Sequence, residues 1–270
     1  MNNAQPVLYQ PVLLPELAEL IDRVADRQRA DFGHVGSDLK ADGSLITACD
    51  RWSDSTLVEG LAGLFPGEGV LSEEGAKIVP RSQAYWVVDP LDGTTNFAAG
   101  IPYWAISLAR FEAGVPVLAV LDVPPLRQRI VAIRGQGAWR NGRPLTPPSH
   151  HPIQSAECAS LCSRSIGVLQ KLPNRRFPGK IRLLGVASLN LVSVAMGQTV
   201  SALEATPKIW DLAAAWLVLS ELECPIRWLG RSPQAIAAGA DLSAADFPVL
   251  AADRPETLSR FMPWAEALNS

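Results

Sequence analysis

The sequence of 270 residues has few of the residues and motifs on which most hydrolases depend. It contains three histidines, and His150 and His151 lie side by side in a proline-rich stretch. The patterns G-x-S-x-G, H-E-x-x-H and G-x-x-x-x-G-K-[ST] do not occur in it. A serine hydrolase with a Ser-His-Asp triad, a zinc protease and a P-loop nucleotide hydrolase are therefore not indicated.

Cysteine, positive charge and long apolar runs are also scarce. Cys158 and Cys162 have neither a second cysteine pair nor a nearby histidine, so a zinc site is not indicated. The net charge of −3 leaves no excess of cations for a nucleic-acid backbone. The longest uncharged run, residues 183–203, is interrupted by polar side chains, and no basic and apolar leader follows Met1. We therefore expect reduced thiols, a cytoplasmic location and neither a membrane nor a nucleic-acid partner.

The pattern of apolar residues predicts helices and strands in mixed order. The spacing predicts a helix over Leu14–Phe32, and Asp50 is placed to cap a second helix that ends near Phe65. Between Ala105 and Arg140, apolar segments separated by glycine and proline are typical of antiparallel strands. Short strands and helices alternate after the connector TPPSHHP at residues 146–152. These patterns predict an α/β protein with mixed sheets between helices.

The connector is the best candidate boundary within the chain. We predict a single unit over residues 1–270, with a metal- and phosphate-binding half up to about residue 146. A second α/β half over residues 153–270 would complete the site. No internal repeat or low-complexity tract divides the chain further.

Acidic side chains follow the predicted strands. Glu73 follows one apolar run, and Asp89 follows the next. Pro90 fixes φ and turns the chain, so the Leu91 carbonyl and the Asp92 carboxylate can converge on one point. Converging oxygen ligands suit Mg²⁺. The alternatives are a D-P-x-D-G turn without a metal and a solvated pair of glutamates.

Two further features extend this candidate site. Gly93, Thr94 and Thr95 offer backbone N–H groups and hydroxyls, an arrangement that binds phosphate oxygens when it opens a helix. Asp211 begins an apolar helix, so its carboxylate is expected beside the core, where a bare charge is costly. The alternatives are threonines that cap a turn and a first-turn aspartate that faces the helix dipole.

The run WVVDPLDGTTNFAAGIPYWAISLA, with VLSEEG upstream and IWDLAAAW downstream, resembles the inositol monophosphatase family of Mg²⁺-dependent, Li⁺-sensitive phosphatases. The segments DGSLITACDRWSD, GQGAWRNGRPL and LLGVASLNLVSVAMG extend the resemblance over about residues 38–215, in family order. It implies an alternating α/β/α/β/α fold, a homodimer and a small phosphate ester as substrate.

The resemblance also implies a role for individual residues. The implied metal ligands are Glu73, Asp89, the Leu91 carbonyl, Asp92 and Asp211. The implied catalytic residues are Glu73 and Thr94, which would orient the attacking water, and Asp50, an outer carboxylate tied to a more weakly held metal. The implied substrate-binding residues are Asp92, Gly93, Thr94, Thr95, Ala187 and Glu204, the last two on the side of the alcohol.

We therefore expect a phosphomonoesterase with two or three Mg²⁺ ions that hydrolyses a polyol or sugar phosphate, with inositol 1-phosphate as the first candidate. The alternatives are histidinol phosphate, fructose 1,6-bisphosphate or adenosine 3′,5′-bisphosphate as substrate, or a non-catalytic regulatory protein that retains the fold. The complete acidic set favours an enzyme. Glu204 also fits a surface position at a strand end. The basic segment Arg175–Arg182 fits either a solvated loop or a group that selects a bisphosphate.

Overall fold

The structure, a computed structural model, describes residues 13–40, 43–149 and 157–268. These ranges contain seven α-helices: α1 (Pro15–Asp31), α2 (Ala48–Leu64), α3 (Thr94–Ala98), α4 (Val168–Lys171), α5 (Ala187–Ala195), α6 (Ile209–Glu221) and α7 (Pro255–Glu266). His150, His151 and the end of the predicted boundary, residues 150–152, lie outside the described residues, so the division into halves stays a prediction.

The same ranges contain fourteen strands: β1 (Ser37–Leu39), β2 (Leu45–Thr47), β3 (Gly69–Ser72), β4 (Ala84–Asp92), β5 (Ala105–Glu112), β6 (Val115–Val123), β7 (Gln128–Ile133), β8 (Gly137–Arg140), β9 (Arg143–Pro144), β10 (Cys158–Leu161), β11 (Lys180–Arg182), β12 (Ser201–Glu204), β13 (Ile226–Trp228) and β14 (Val249–Ala252). A seven-stranded sheet runs in the order β3-β4-β5-β6-β7-β8-β9, and a five-stranded sheet in the order β11-β10-β12-β14-β13. β1 and β2 form a small antiparallel pair.

Helices and sheets alternate in five layers. α1 and α2 cover one face of the seven-stranded sheet, where Leu57 packs in one cluster with Trp86. α5 and α6 lie between the two large sheets, in a core that includes Val87 and Ala202. α7 packs on the other face of the five-stranded sheet through Trp264. The expected α/β/α/β/α fold is confirmed.

β4 is buried on both faces and carries the acidic motif into the centre of the molecule. Successive side chains of a strand point to opposite faces. Trp86 and Val88 accordingly pack towards α1 and α2, whereas Tyr85 and Val87 pack towards α6. A strand covered on both faces is apolar at every position, which explains the run Tyr85–Val88. The first charged residue, Asp89, is reached with the chain already inside the protein.

Most predicted elements are confirmed within a few residues, but two details are wrong. Thr47 caps α2, because its side-chain oxygen accepts the N–H groups of Cys49 and Asp50, each at 3.2 Å. Asp50 is the third helical residue and accepts the Thr47 N–H at 2.8 Å, which completes a capping box. β4 does not end at Asp89, because the ladder resumes after an irregularity and pairs Asp92 with Ala105.

Three short elements are not predicted by the sequence pattern, namely β1, β13 and α4, each of three or four residues. A periodic pattern needs more positions than these elements have. Across the described ranges, no helix combines the length and the apolar character that a bilayer crossing requires.

Candidate active site

Three acidic side chains from separate elements meet at one point. Glu73 follows β3, Asp89 lies in β4 and Asp211 lies in the first turn of α6. One carboxylate oxygen of each lies within 4.8 Å of the other two. The Glu73 N–H donates to the Val88 carbonyl at 3.1 Å, which holds the chain after β3 in step with β4. The structure thus brings together three of the implied metal ligands.

This arrangement is electrostatically unfavourable without a cation. Asp89 is 1% exposed, and burial raises its pKa well above the usual range, with a further increase from the charges of Glu73, Asp92 and Asp211. Burial and the neighbouring carboxylates raise the pKa of Asp211 in the same way. The pKa of Asp92 is raised to about 6 by burial, although the Ser188 N–H at 2.7 Å favours its ionised form.

The donor set fits a hard divalent cation. The cluster offers carboxylate oxygens and contains no histidine or cysteine among the residues described. Oxygen ligands suit Mg²⁺ or Mn²⁺, whereas a structural zinc site takes nitrogen and sulfur ligands. Leu91, whose carbonyl is the implied fourth ligand, is buried on its side-chain face with Phe97 and Trp104. The cluster is therefore suited to bind Mg²⁺.

Lys40 is a residue of this site that the sequence analysis missed. Its Nζ lies 2.9 Å from Glu73 Oε1 and also contacts Glu74. Burial opposes the charge of Lys40, but the two carboxylates outweigh it and raise the pKa of the ammonium group. Lys40 therefore supplies a positive charge at the edge of the acidic cluster. It lies in the polar stretch after β1, where no spacing distinguishes it.

Asp50 reaches the site through Thr94. The Thr94 hydroxyl lies 2.7 Å from Asp50 Oδ1 and 3.2 Å from the Leu91 carbonyl. The other Asp50 oxygen accepts the Thr47 N–H and contacts the Thr47 hydroxyl. Asp50 is 1% exposed, so its orientation is fixed by these contacts. The Asp50 side chain, which completes the capping box of α2, thus also positions Thr94.

Gly93, directly after Asp92, lies close to the chain before α5. Its φ of +106° is a value that side chains with a Cβ rarely adopt. A Cβ at this position would lie 2.8 Å from Val186 Cγ2 and 3.3 Å from Trp104. Thr94 begins α3 directly after it, with Thr95 on the exposed side. The first N–H groups of a helix have no acceptor within the helix, so this turn presents donors.

A buried hydrogen-bond network that the sequence analysis also missed supports the backbone at residues 89–91. The Leu91 N–H donates to Asp89 Oδ1 at 3.0 Å, and Gln28 Nε2 donates to the Pro90 carbonyl at 2.7 Å. Trp104 Nε1 donates to Gln28 Oε1 at 3.0 Å. Gln28 is fully buried in α1, as the one polar side chain on a face that is otherwise apolar. That exception to the helical pattern was the signal that could have identified it.

Glu204 lies on the other side of Asp92 and is not a surface residue. It ends β12 and is 3% exposed, so the alternative of a surface glutamate is wrong. Asn190 Nδ2 donates to Glu204 Oε1 at 2.8 Å. Burial raises the pKa of Glu204 to about 8, against the effect of the Asn190 hydrogen bond and with a further increase from Asp92. Ala187 begins α5, directly before Ser188.

The basic segment Arg175–Arg182 is not part of this cluster. Phe177 and Ile181 pack with α7 on the outer face of the five-stranded sheet. Asn190 and its partner Glu204 lie on the inner face, with α5. The sheet separates the two regions, which argues against a role of the segment in selecting a bisphosphate at the acidic cluster.

Comparison with known proteins gives a consistent result. The sequence profile of the inositol monophosphatase family matches residues 12–249. The histidinol-phosphatase of Mycobacterium tuberculosis is 33% identical over 216 residues, which cover 75% of this chain and 82% of that protein. The inositol-1-monophosphatase of Rhizobium meliloti is 33% identical over 224 residues, covering 79% and 84%. The crystal structure of the extragenic suppressor protein suhB from Bartonella henselae matches with a TM-score of 0.77 and 25% identity, covering 95% and 98%.

The close approach at Gly93 makes a testable difference between two glycines. Gly93→Ala is expected to lower the free energy of unfolding by about 2–4 kcal/mol, from a left-handed backbone and an overlap with Val186. Gly100→Ala is the control, because Gly100 has φ of +75° but no atom within 4 Å of a Cβ. It is expected to cost about 1–2 kcal/mol. Chemical denaturation measures both, and equal losses would contradict the packing at Val186.

Charge repulsion in the cluster predicts that one of its residues destabilises the metal-free protein. Asp211→Asn removes a charge and keeps an acceptor for the Lys208 N–H, now at 2.8 Å. In a chelating buffer at neutral pH it is expected to raise the free energy of unfolding by about 1–2 kcal/mol. The variant should also lose the increase in Tm that Mg²⁺ gives the wild type.

The control for this measurement is Asp38→Asn, which removes a charge from an exposed side chain. It should change neither the metal-free stability nor the response to Mg²⁺. If Asp211→Asn destabilises the metal-free protein, or keeps the full response to Mg²⁺, the cluster does not act as a cation site.

Proposed function

This chain belongs to the inositol monophosphatase family, and from that premise we propose that it hydrolyses a polyol or sugar monophosphate, with inositol 1-phosphate as the first candidate. It is a phosphoric monoester hydrolase of that family. The observation that carries the proposal is the meeting of Glu73, Asp89 and Asp211 beside the turn at Gly93. A regulatory protein that had lost the chemistry would not need to keep this repulsive set of buried and half-buried charges together.

We propose that the acidic side chains hold the two or three Mg²⁺ ions that the family resemblance implies. The ligands would be Glu73, Asp89, the Leu91 carbonyl, Asp92 and Asp211. When bound, Mg²⁺ lowers the pKa of a coordinated water and neutralises charge on the phosphoryl group. The repulsion among Asp89, Asp92 and Asp211 supports this proposal, because a bound cation would reduce it.

Thr94 and Asp50 are placed to orient the attacking water. A hydroxyl that donates its hydrogen to Asp50 Oδ1 keeps lone pairs that can accept a hydrogen bond from water. The Thr47 N–H holds the other Asp50 oxygen at 2.8 Å, which keeps Oδ1 turned towards Thr94. Glu73, at the entrance of the cluster and 2.9 Å from Lys40 Nζ, would hold the same water from the other side. Thr94 and Glu73 would each position a proton of this water, and neither would attack phosphorus itself.

The turn at Gly93 would hold the phosphate. The N–H groups of Gly93, Thr94 and Thr95 open α3, and helix openings bind phosphate oxygens through such donors. Asp92 would contact the substrate beside this turn, where the Ser188 N–H fixes its carboxylate. The backbone at Gly93 can approach a phosphate closely because it lacks a side chain.

Glu204 and Ala187 would face the alcohol part of the substrate. Asn190 holds the Glu204 carboxyl group, and Asn190 Oδ1 has no donor among the residues described. Buried oxygens without a partner are costly, so hydroxyl groups of a polyol would satisfy them. Ala187, with its small side chain at the start of α5, leaves space for a ring. These contacts favour a polyol over an unbranched alkyl phosphate.

Histidinol phosphate is the second candidate substrate, because one relative is named a histidinol-phosphatase. A homodimer and a cytoplasmic location stay predictions, and gel filtration with light scattering tests the first. None of these alternatives changes the residues proposed for the metal site.

Hydrolysis should require both Mg²⁺ and Asp92. Asp92→Asn is expected to lower kcat by on the order of 10² or more, a loss of roughly 3 kcal/mol of transition-state stabilisation. Steady-state kinetics on inositol 1-phosphate, histidinol phosphate, fructose 1,6-bisphosphate and p-nitrophenyl phosphate measure this effect and rank the substrates. Addition of Li⁺ in the millimolar range is expected to inhibit.

The control is Asp241→Asn at an exposed aspartate, and circular dichroism should show an intact fold in both variants. Turnover of Asp92→Asn close to that of the wild type would remove Asp92 from the site. A wild-type protein that binds Mg²⁺ but hydrolyses no ester would favour the non-catalytic alternative.

Glu204 should affect one class of substrate more than another. Glu204→Gln is expected to raise KM for inositol 1-phosphate more than for p-nitrophenyl phosphate, which has no alcohol hydroxyls. The loss of one charged hydrogen bond corresponds to about 1.5–3 kcal/mol, or tenfold and more in kcat/KM. Glu59→Gln, on the exposed side of α2, is the control. Equal effects on both substrates would make Glu204 a structural residue.

A further inference from the structure

The outer face of the five-stranded sheet carries a cavity that the proposed function does not use. Its volume is about 490 Å³, and four cationic side chains line it, Arg175, Arg176, Lys180 and Arg260. Phe177 and Trp264 form its apolar wall. The size is in the range of small-molecule sites, about 300–1,000 Å³. Its lining therefore combines four positive charges with two aromatic side chains.

These four cations lack carboxylate partners in the part of the chain that the structure describes. Eight other cations of the described ranges have a carboxylate partner, among them Arg110 and Arg129 with two each. What distinguishes the four is that they line one cavity. The unpaired group occurs in a protein whose net charge is −3. Four cations around one cavity repel one another, and an anion removes that repulsion.

The cavity is already shaped without a ligand. The Arg175 guanidinium lies 5.3 Å from the centre of the Trp264 ring, so a cation–π contact restrains it. Phe177 packs edge-on against Trp264 with ring centres 5.5 Å apart. Pro178 is buried directly after Phe177 and stiffens the segment. A restrained guanidinium loses less conformational entropy on binding than a free one.

Trp264 forms a buried part of the cavity wall. The residue is 3% exposed, so it supports the cationic side chains at the rim.

The cavity is separate from the proposed active site. Leu203 and Leu250 pack with Trp264 on the outer face, whereas their strand neighbours Ala202 and Ala251 pack with α5 on the inner face. Glu204 follows Leu203 and is bonded to Asn190 of α5. The sheet therefore lies between the cavity and the alcohol side of the active site.

We propose that this cavity is a second anion site and that it binds a diphosphate group, free or as part of a small molecule. Guanidinium groups match phosphate oxygens through paired N–H donors. A single phosphate would leave cations unpaired, because the cavity presents four of them. Trp264 is already covered by Arg175, so the cavity recognises the anionic group rather than a stacked ring.

Isothermal titration calorimetry in a chelating buffer tests the site on the intact protein, without the metal on which phosphate binding at the acidic cluster depends. The probes are pyrophosphate, ADP and inorganic phosphate. Pyrophosphate is expected to bind at one site per chain and at least tenfold more tightly than phosphate. If ADP binds with the same affinity as pyrophosphate, the site takes a diphosphate group that is part of a small molecule. If pyrophosphate binds and ADP does not, the site takes the free ion. Either result supports the proposal.

Arg176→Glu is the test variant, and Arg143→Glu, at an exposed arginine in β9, is its matched control. The first is expected to weaken pyrophosphate binding at least tenfold, and the second by less than twofold. Absence of saturable binding to the wild type, or equal losses in both variants, would overturn the proposal.

Hydrolysis of the preferred ester with Mg²⁺ is measured on the same two variants. Both are expected to retain the wild-type kcat/KM within twofold, so this result separates the second site from the proposed catalytic site. A large loss of kcat/KM in Arg176→Glu alone would show that the cavity belongs to the catalytic site and would overturn its assignment as a second site.

Discussion

Glu73, Asp89, Asp92 and Asp211 are held close together, with Asp89 and Asp92 buried and the other two half-buried, although their negative charges repel one another. Two charges 4 Å apart repel by about 4 kcal/mol at an effective dielectric constant of 20. The large apolar core that joins both sheets through α5 and α6 opposes this repulsion. Lys40 and the Ser188 N–H relieve part of it. The repulsion that remains favours the binding of a cation.

The same constraint explains why the site is made by contacts between distant parts of the chain. Local turns cannot bring Asp211 to Asp89, because Asp89 lies in the seven-stranded sheet and Asp211 in a helix of the neighbouring layer. The close approach of Gly93 to Val186 is one of the contacts that join the two regions. Asn96 Nδ2 adds another, since it donates to the Leu184 carbonyl at 2.8 Å. These two contacts hold residues 184–186, before α5, against the turn at residues 93–96 beside the acidic cluster.

The parts of the site that sequence could predict are those with a local signature. Asp89, Asp92 and Gly93 occur in one turn motif, and the layered fold follows from the order of elements. Lys40, Gln28 and the pairing of Asn190 with Glu204 were not predicted, because these contacts join residues far apart in sequence or in different elements. The role of Asp50 was predicted only in part. Its position at the start of α2 indicates the capping contact with Thr47, but the local sequence does not show that its other oxygen contacts Thr94.

Repulsion also connects the metal side of the site with its alcohol side. The charge of Asp92 is one cause that raises the pKa of Glu204, after burial. A cation that neutralises Asp92 removes this contribution, so the Glu204 carboxyl group ionises more readily in the metal-loaded protein. An ionised carboxylate accepts hydrogen bonds from hydroxyl groups more strongly than a neutral acid does. Binding of a cation at Asp92 and recognition of an alcohol at Glu204, as proposed above, would therefore be coupled through the same buried charges, even where no side chain contacts both.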